Sequence, residues 1–255
     1  MIKPFLNRIH HGDCCEIMSR MPSESVDLIV TSPPYNLLTT TGGGIEWRKS
    51  KQPKNNRGVP VGRHPMTEGY EGYGDNMPND EYAAWQRQCL DAMMRLLTPD
   101  GAIFYVHKWR VQDGLIQDRQ DIVEKFPVRQ IIIWHQGVGI NKNPGYFLPA
   151  YEVVYLIAKP DFKLAHRANE LGNVWYIPRT RKETEHPCPF PLQLAQACVN
   201  STDAKVVLDP FIGSGTTAVA AAQANRDWIG IELSETYVDM ARNRIEIETA
   251  QLSLL

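Results

Sequence analysis

The string Thr-Ser-Pro-Pro-Tyr-Asn at 31–36 gathers the residue types needed to handle an amino group on an aromatic ring. Such an amine is a poor nucleophile, because its lone pair is delocalised into the ring. Accepting its two hydrogens at a hydroxyl and a carbonyl oxygen favours a pyramidal nitrogen whose lone pair can attack. Ser32 Oγ and the Pro33 carbonyl are the candidate acceptors, and Pro34 stiffens the loop so that both are preorganised. Tyr35 offers a ring face on which an unpaired base can stack, a contact worth about 1–3 kcal/mol. A duplex hides the amine in a base pair, so the chemistry requires the base to be extruded first. The same string also reads as an ordinary proline-rich turn around a buried tyrosine, since Ser-Pro-Pro is common turn chemistry.

A second informative stretch is KVVLDPFIGSGTTAVAAA, residues 205–222. An apolar strand ends at Asp209, a Gly-x-Gly turn follows at Gly213–Gly215, and a helix of small residues begins. Glycine there lets the backbone approach a ligand where a Cβ would collide, and the helix start supplies unpaired N–H groups. No Gly-Lys-Ser/Thr follows, which excludes a P-loop. A dinucleotide fingerprint would need a third glycine, whereas Thr216 and Thr217 follow here. The next strand, Trp228 to Glu232, ends in an acid about twenty residues on, the spacing at which a carboxylate meets ribose hydroxyls. Without a ligand, the stretch is a tight strand–helix turn with Glu232 as a surface acid.

Five cysteines, at 14, 15, 89, 188 and 198, are an odd and scattered set, which argues against a disulfide framework. Neither the adjacent Cys14–Cys15 nor the His186/Cys188 pair has the spacing of a zinc site, so they read as reduced structural thiols and no metal is expected. Net charge is −2, so any nucleic-acid surface must be a local basic patch. No apolar run approaches the roughly 20 residues a membrane span needs, and the first residues lack an apolar signal core. A cytoplasmic protein is expected.

These candidates must be positioned by the remaining elements. Residues 8–12 read as extended, 14–21 as helix, and Ser25–Thr31 as an apolar strand that the prolines stop at Ser32. Helix is expected over 80–97, capped by Asn79 or Asp80 and stopped by Pro99-Asp100-Gly101. Strands follow at 102–107, 129–135 and 152–158, then helix at 191–200, strand at 206–208, helix at 215–223, strand at 228–232 and helix at 234–249. This alternation predicts an α/β fold with a mostly parallel sheet, in one domain spanning 1–255. Two stretches, about 38–78 and 160–183, lack periodicity. The first carries Arg48, Lys49, Lys51, Lys54, Arg57 and Arg63, with Glu46 alone opposing them before Glu68. It reads as a solvated loop that contacts DNA phosphates. Arg179, Arg181 and Lys182 in the second read equally as phosphate or guanine contacts and as solvated surface.

Together, TSPPY at 31–35 and FIGSG at 211–215 resemble the β class of S-adenosylmethionine-dependent amino DNA methyltransferases, in which the catalytic S/D-P-P-Y motif precedes the cofactor motif. Other strings agree: HGDC at 11–14, PDGA leading into AIFYVH, IIWHQG with YEVVYLIAK as an antiparallel pair closing the sheet, and HPCPFPLQLAQACV at 186–199. The resemblance implies a Rossmann-like class I methyltransferase sheet in circularly permuted motif order, with irregular DNA-facing insertions. It implies S-adenosyl-L-methionine as cofactor, held by Asp13, Cys14, Ser32, His186, Pro187, Asp209, Pro210, Phe211, Gly213, Ser214, Gly215, Thr216, Glu232 and Leu233. Ser32, Pro33, Pro34 and Tyr35 inherit the catalytic role. Direct displacement without a covalent enzyme intermediate is implied, and no metal. Double-stranded DNA is the implied partner, with a homodimer and a cognate restriction endonuclease as further expectations. Serine at the first motif position tends to accompany cytosine N4, and aspartate adenine N6, so cytosine N4 is expected over adenine. The rivals are an RNA or protein amine methyltransferase, whose cofactor motif usually comes first, and a cofactor-binding module without catalysis, against which the intact SPPY speaks.

Overall fold

The computed structural model describes residues 1–36, 76–112, 114–137, 145–179 and 191–250. Its frame is an eight-stranded sheet in the order β1-β10-β9-β2-β3-β7-β6-β8. The strands are β1 (Arg8–His11), β2 (Val26–Thr31), β3 (Leu97–His107), β6 (Val128–His135), β7 (Tyr151–Ala158), β8 (Val174–Tyr176), β9 (Val206–Asp209) and β10 (Asp227–Glu232). β7 alone runs against the others, antiparallel to both β3 and β6. A separate hairpin pairs β4 (Arg110–Gln112) with β5 (Leu115–Gln117).

The central strands read as unbroken apolar runs because both of their faces are covered. Ile29, Ile103, Tyr105, Val153, Tyr155 and Ile157 point into one core. Helices α1 (Cys14–Arg20), α2 (Asn79–Leu96) and the short α3 (Gln120–Val123) cover that face. Leu28, Val30, Phe104, Val106, Val154 and Leu156 point into the opposite core, under α4 (Leu192–Asn200) and α5 (Thr216–Gln223). The last helix, α6 (Glu235–Ala250), packs with α5 on a third cluster through Val238, Ala241 and Ile245. Helix α2 buries Tyr82, Gln86, Cys89, Leu90, Met93 and Leu96 along one stripe, as helical periodicity requires.

The expected strands and helices form, with four corrections. Helix α2 starts at Asn79 with Pro78 in the cap position. It ends at Leu96, and β3 begins at once at Leu97; the 98–101 segment is absorbed as a register shift against β2 instead of forming a separate turn. The hairpin and α3 were not expected. Within the 160–183 stretch, a 3-10 turn at Ala168–Leu171 precedes β8, which pairs in parallel with β6. The β6–β7 pair is therefore antiparallel as expected, but β8 closes the sheet edge. Most of the 38–78 stretch lies outside the described residues. Among the described residues, no helix is long and apolar enough to cross a membrane.

Candidate active site

The first five strands of the sheet order end on one rim, with His11, Glu232, Asp209, Thr31 and His107 as last residues of adjacent parallel strands. Register fixes the alignment, since His11 faces Glu232 and Gly230 faces Asp209. The chain leaves β9 toward β10 but leaves β2 toward β3, so the strand order switches direction between β9 and β2. In open parallel sheets ligands sit outside the carboxyl ends at such a point. Thr31 Oγ1 there donates to Asp209 Oδ1 at 2.7 Å.

Asp209 is fully buried, and both of its oxygens are engaged. Thr217 Oγ1 donates to Oδ2 at 2.7 Å, and the Phe211 N–H donates to Oδ1 at 3.0 Å. Burial pushes its pKa up to about 6 despite these hydrogen bonds. Its visible work is to shape the 210–216 loop. Glu232 holds the same loop from the other side, accepting from Gly213 N–H at 3.0 Å and Ser234 N–H at 2.9 Å. Partial burial raises its pKa, against the pull of those donors. Gly215 has φ +83°, and a Cβ there would meet Ile245 at 3.1 Å, so any side chain at that turn is strained. The Ser214 and Thr216 hydroxyls face Arg244 of α6 at 3.2 and 3.0 Å. Pro210 is buried, and Phe211 is half-buried with its ring edge-on to Trp85, centroids 5.8 Å apart.

At the neighbouring edge, Asp13 is exposed and caps α1 through Glu16 N–H at 2.9 Å. Cys14 follows it, but its side chain is buried against α2, so the sulfur is turned into the helix interface. Leu233 is exposed at the end of β10. His186 and Pro187 lie outside the described residues.

The Ser-Pro-Pro-Tyr segment leaves β2 on this rim and is held from below. The Pro34 carbonyl accepts from the Tyr82 hydroxyl at 2.8 Å and from Gln86 Nε2 at 3.4 Å. Lys108 N–H donates to His107 Nδ1 at 2.8 Å, which leaves the ring proton on Nε2, facing the Tyr82 oxygen at 2.9 Å. Burial, with the Arg119 cation adding to it, pushes the His107 pKa down to about 3, so this imidazole stays neutral. Asn36, at φ +55°, closes the segment by exchanging side-chain bonds with the Met77 backbone at 2.7 and 2.8 Å.

Above this support, Tyr35 is buried with its ring tilted against His107 at 5.0 Å. Its hydroxyl donates to Glu152 Oε2 at 3.3 Å and lies 2.7 Å from Ser32 Oγ. Either hydroxyl can be the donor in the Ser32–Tyr35 contact; a Tyr35 proton directed to Glu152 would make Ser32 that donor and leave its lone pairs free to accept. Among the described residues, nothing donates to the Pro33 carbonyl, whereas the Pro34 carbonyl is taken.

Sequence reasoning missed the supporting residues Tyr82, Gln86, His107 and Glu152. Two signals were present: Gln86 is a polar residue on the apolar stripe of α2, and Glu152 is the lone acid in an apolar strand. Arg179, expected at DNA, reaches Glu152 Oε1 at 3.7 Å and hydrogen-bonds Gln136. Arg48, Lys49, Lys51, Lys54, Arg57, Arg181 and Lys182 lie outside the described residues.

The profile of the DNA methylase family, of N6/N4 type, matches residues 26–243. The type II methyltransferase M.BglII of Bacillus subtilis is 28% identical over 280 residues, 94% of this chain and 69% of that protein. The type II methyltransferase M2.DpnII of Streptococcus pneumoniae is 27% identical over 275 residues, 97% of this chain and 94% of that protein. A Thermus thermophilus protein, TTHA0409, described as a putative DNA modification methylase and solved in complex with S-adenosyl-L-methionine, superposes with a TM-score of 0.63 at 26% identity, covering 95% of each chain. PvuII DNA methyltransferase, described as cytosine-N4-specific, shares the fold with a TM-score of 0.69 at 18% identity, covering 95% of this chain and 91% of that one. The strand order, the rim and the family match agree: the chain belongs to the DNA methylase family and is an S-adenosylmethionine-dependent, site-specific DNA amino methyltransferase.

Proposed function

We propose that the methyl acceptor is the N4 amine of a flipped cytosine, held by Ser32 Oγ and the Pro33 carbonyl with its ring against Tyr35. The observation that carries this reading is the contrast between two carbonyls: that of Pro34 is occupied from below, whereas among the described residues no donor reaches that of the buried Pro33, next in the chain to Ser32. Two acceptors on successive residues suit an amine with two hydrogens. Serine, a neutral acceptor, favours cytosine over adenine in this family.

The rim suits S-adenosylmethionine by its chemistry. Glu232 keeps unused lone pairs for ribose hydroxyls, Asp13 lies exposed beside it, and Leu233 and Phe211 offer apolar surface to an adenine ring. The residues 209–216 shape the wall on which the amino-acid end would rest. His186 and Pro187 belong to the same proposal on the sequence resemblance. The cofactor supplies an electrophilic methyl group on a sulfonium. The chain's part is positional: Ser32 and Pro33 draw the amine hydrogens into line, and the Tyr35–Glu152 contact fixes the direction of the Ser32 hydroxyl. Tyr82 and Gln86 keep the loop from yielding. Such prealignment supplies much of the rate in displacement reactions.

The basic run Arg48, Lys49, Lys51, Lys54 and Arg57, with Arg181 and Lys182, is assigned to DNA phosphates on its charge. Arg179 belongs instead to the base-holding end, through Glu152. A cytoplasmic setting, a homodimer and a partner endonuclease sharing the target complete the proposal; the type II designation of M.BglII and M2.DpnII supports the last.

Duplex DNA methylated by the purified protein, digested to nucleosides and separated by mass spectrometry, tests the base assignment. N4-methyldeoxycytidine is expected. N6-methyldeoxyadenosine would overturn the choice of cytosine, and no methylated nucleoside would overturn the reading of the site.

A further inference from the structure

Cys14 and Cys89 are 75 residues apart in sequence, yet their sulfur atoms lie 3.9 Å apart. Cys15 Sγ lies 3.5 Å from Cys89 Sγ, and all three sulfurs fall within 4.8 Å of one another. Helix α1 begins directly after β1 and packs against α2, so its first turn presents both of its cysteines to the middle of α2. Cys14 and Cys89 are buried, while Cys15 is half-buried and leaves the cluster one accessible side.

These spacings suit ligation. Thiolates bound to one zinc-like ion at about 2.3 Å stand about 3.8 Å apart in a tetrahedral arrangement and about 4.0 Å apart in a trigonal one. The two separations from Cys89, 3.9 and 3.5 Å, lie close to those values. Soft thiolates select soft thiophilic ions over magnesium or calcium. Thiols packed without an ion would give similar contacts, so ligation itself is the property to test.

We propose that Cys14, Cys15 and Cys89 form a binding site for one soft divalent cation of the zinc and cadmium class, with water as the fourth ligand on the Cys15 side. Three thiols bind as thiolates, so three sulfur–metal bonds form and three protons leave to solvent. The ion ties α1, which Asp13 caps, to α2, whose Tyr82 and Gln86 hold the Pro34 carbonyl. It therefore braces the cofactor side of the rim against the base-holding side. This inference stands apart from the choice of cytosine.

The test titrates cadmium into the reduced, metal-free full chain without oxygen, following thiolate-to-cadmium charge-transfer absorption in the ultraviolet and proton release. Saturation at one ion and about three protons per chain is expected. Cys15→Ser should lower the affinity at least about tenfold, and Cys89→Ser should do the same, while Cys198→Ser, outside the cluster, should not. Zinc should raise the melting temperature of the wild-type chain and not that of Cys15→Ser. Cys15 is only half-buried, so its variant keeps the test meaningful where Cys89→Ser fails to fold. Absence of the absorption band at excess cadmium, or an unchanged band in Cys15→Ser, would overturn the proposal.

Discussion

Ser32 Oγ lies 2.7 Å from the Tyr35 hydroxyl, which also reaches Glu152 Oε2 at 3.3 Å, and a Tyr35 proton on the carboxylate side makes Ser32 the donor to Tyr35. A serine that spends its proton inside the protein is an acceptor on its open side. On the proposed reading the direction of the hydroxyl is set in β7, 120 positions along the chain from Ser32, by a carboxylate in contact with Arg179.

Glu152→Gln tests that relay. The amide keeps the shape of the side chain but can turn its NH2 toward Tyr35, which would redirect the Tyr35 and Ser32 protons. Turnover should fall about tenfold, equivalent to about 1.4 kcal/mol, with cofactor affinity unchanged. Single-turnover methylation alongside calorimetric cofactor titration checks it; equal loss in both would mean that Glu152 merely supports the fold.

Glu232→Ala should act in the opposite sense. Glu232 anchors the Gly213 and Ser234 amides, and removing a charged acceptor costs about 1.5–3 kcal/mol. Cofactor binding should weaken about 10- to 100-fold, and saturating cofactor should restore most of the turnover. Unchanged affinity in calorimetry would contradict the assignment.

Asp209 gives a pH signature. Burial raises its pKa from 3.8 to about 6, so between about pH 4 and pH 6 the folded chain retains a proton that the unfolded chain has released. The contribution of Asp209 to stability is therefore fully present below that window and lost as pH rises through it. Denaturant unfolding of wild type and Asp209→Asn across the window should show wild type losing about 1–3 kcal/mol relative to the variant as pH rises. A constant difference would place the Asp209 pKa near its ordinary value.

The strands were legible because β2, β9 and β10 are compact apolar runs ending in residues that cannot or need not continue them. The order of TSPPY before FIGSG fixed the permuted topology. Val174-Trp175-Tyr176 was illegible because a three-residue strand has too few alternations to show a period, and its pairing partner β6 lies about forty residues away. The glycine turn and Glu232 could be found from spacing alone. The convergence of Cys14, Cys15 and Cys89 could not, since it depends on how α1 packs against α2. Tyr82 and Gln86 looked like ordinary members of a helical stripe; only the placement of the Pro34 carbonyl above them reveals their work.

The most direct test of the proposed base-holding site is Ser32→Ala, assayed for transfer of tritiated methyl to duplex DNA and, separately, for cofactor binding. Loss of one preorganised acceptor should cut turnover about 10²- to 10³-fold, with cofactor affinity near that of wild type. Full transfer activity in the variant, or cofactor binding that collapses together with turnover, would contradict the role given to Ser32.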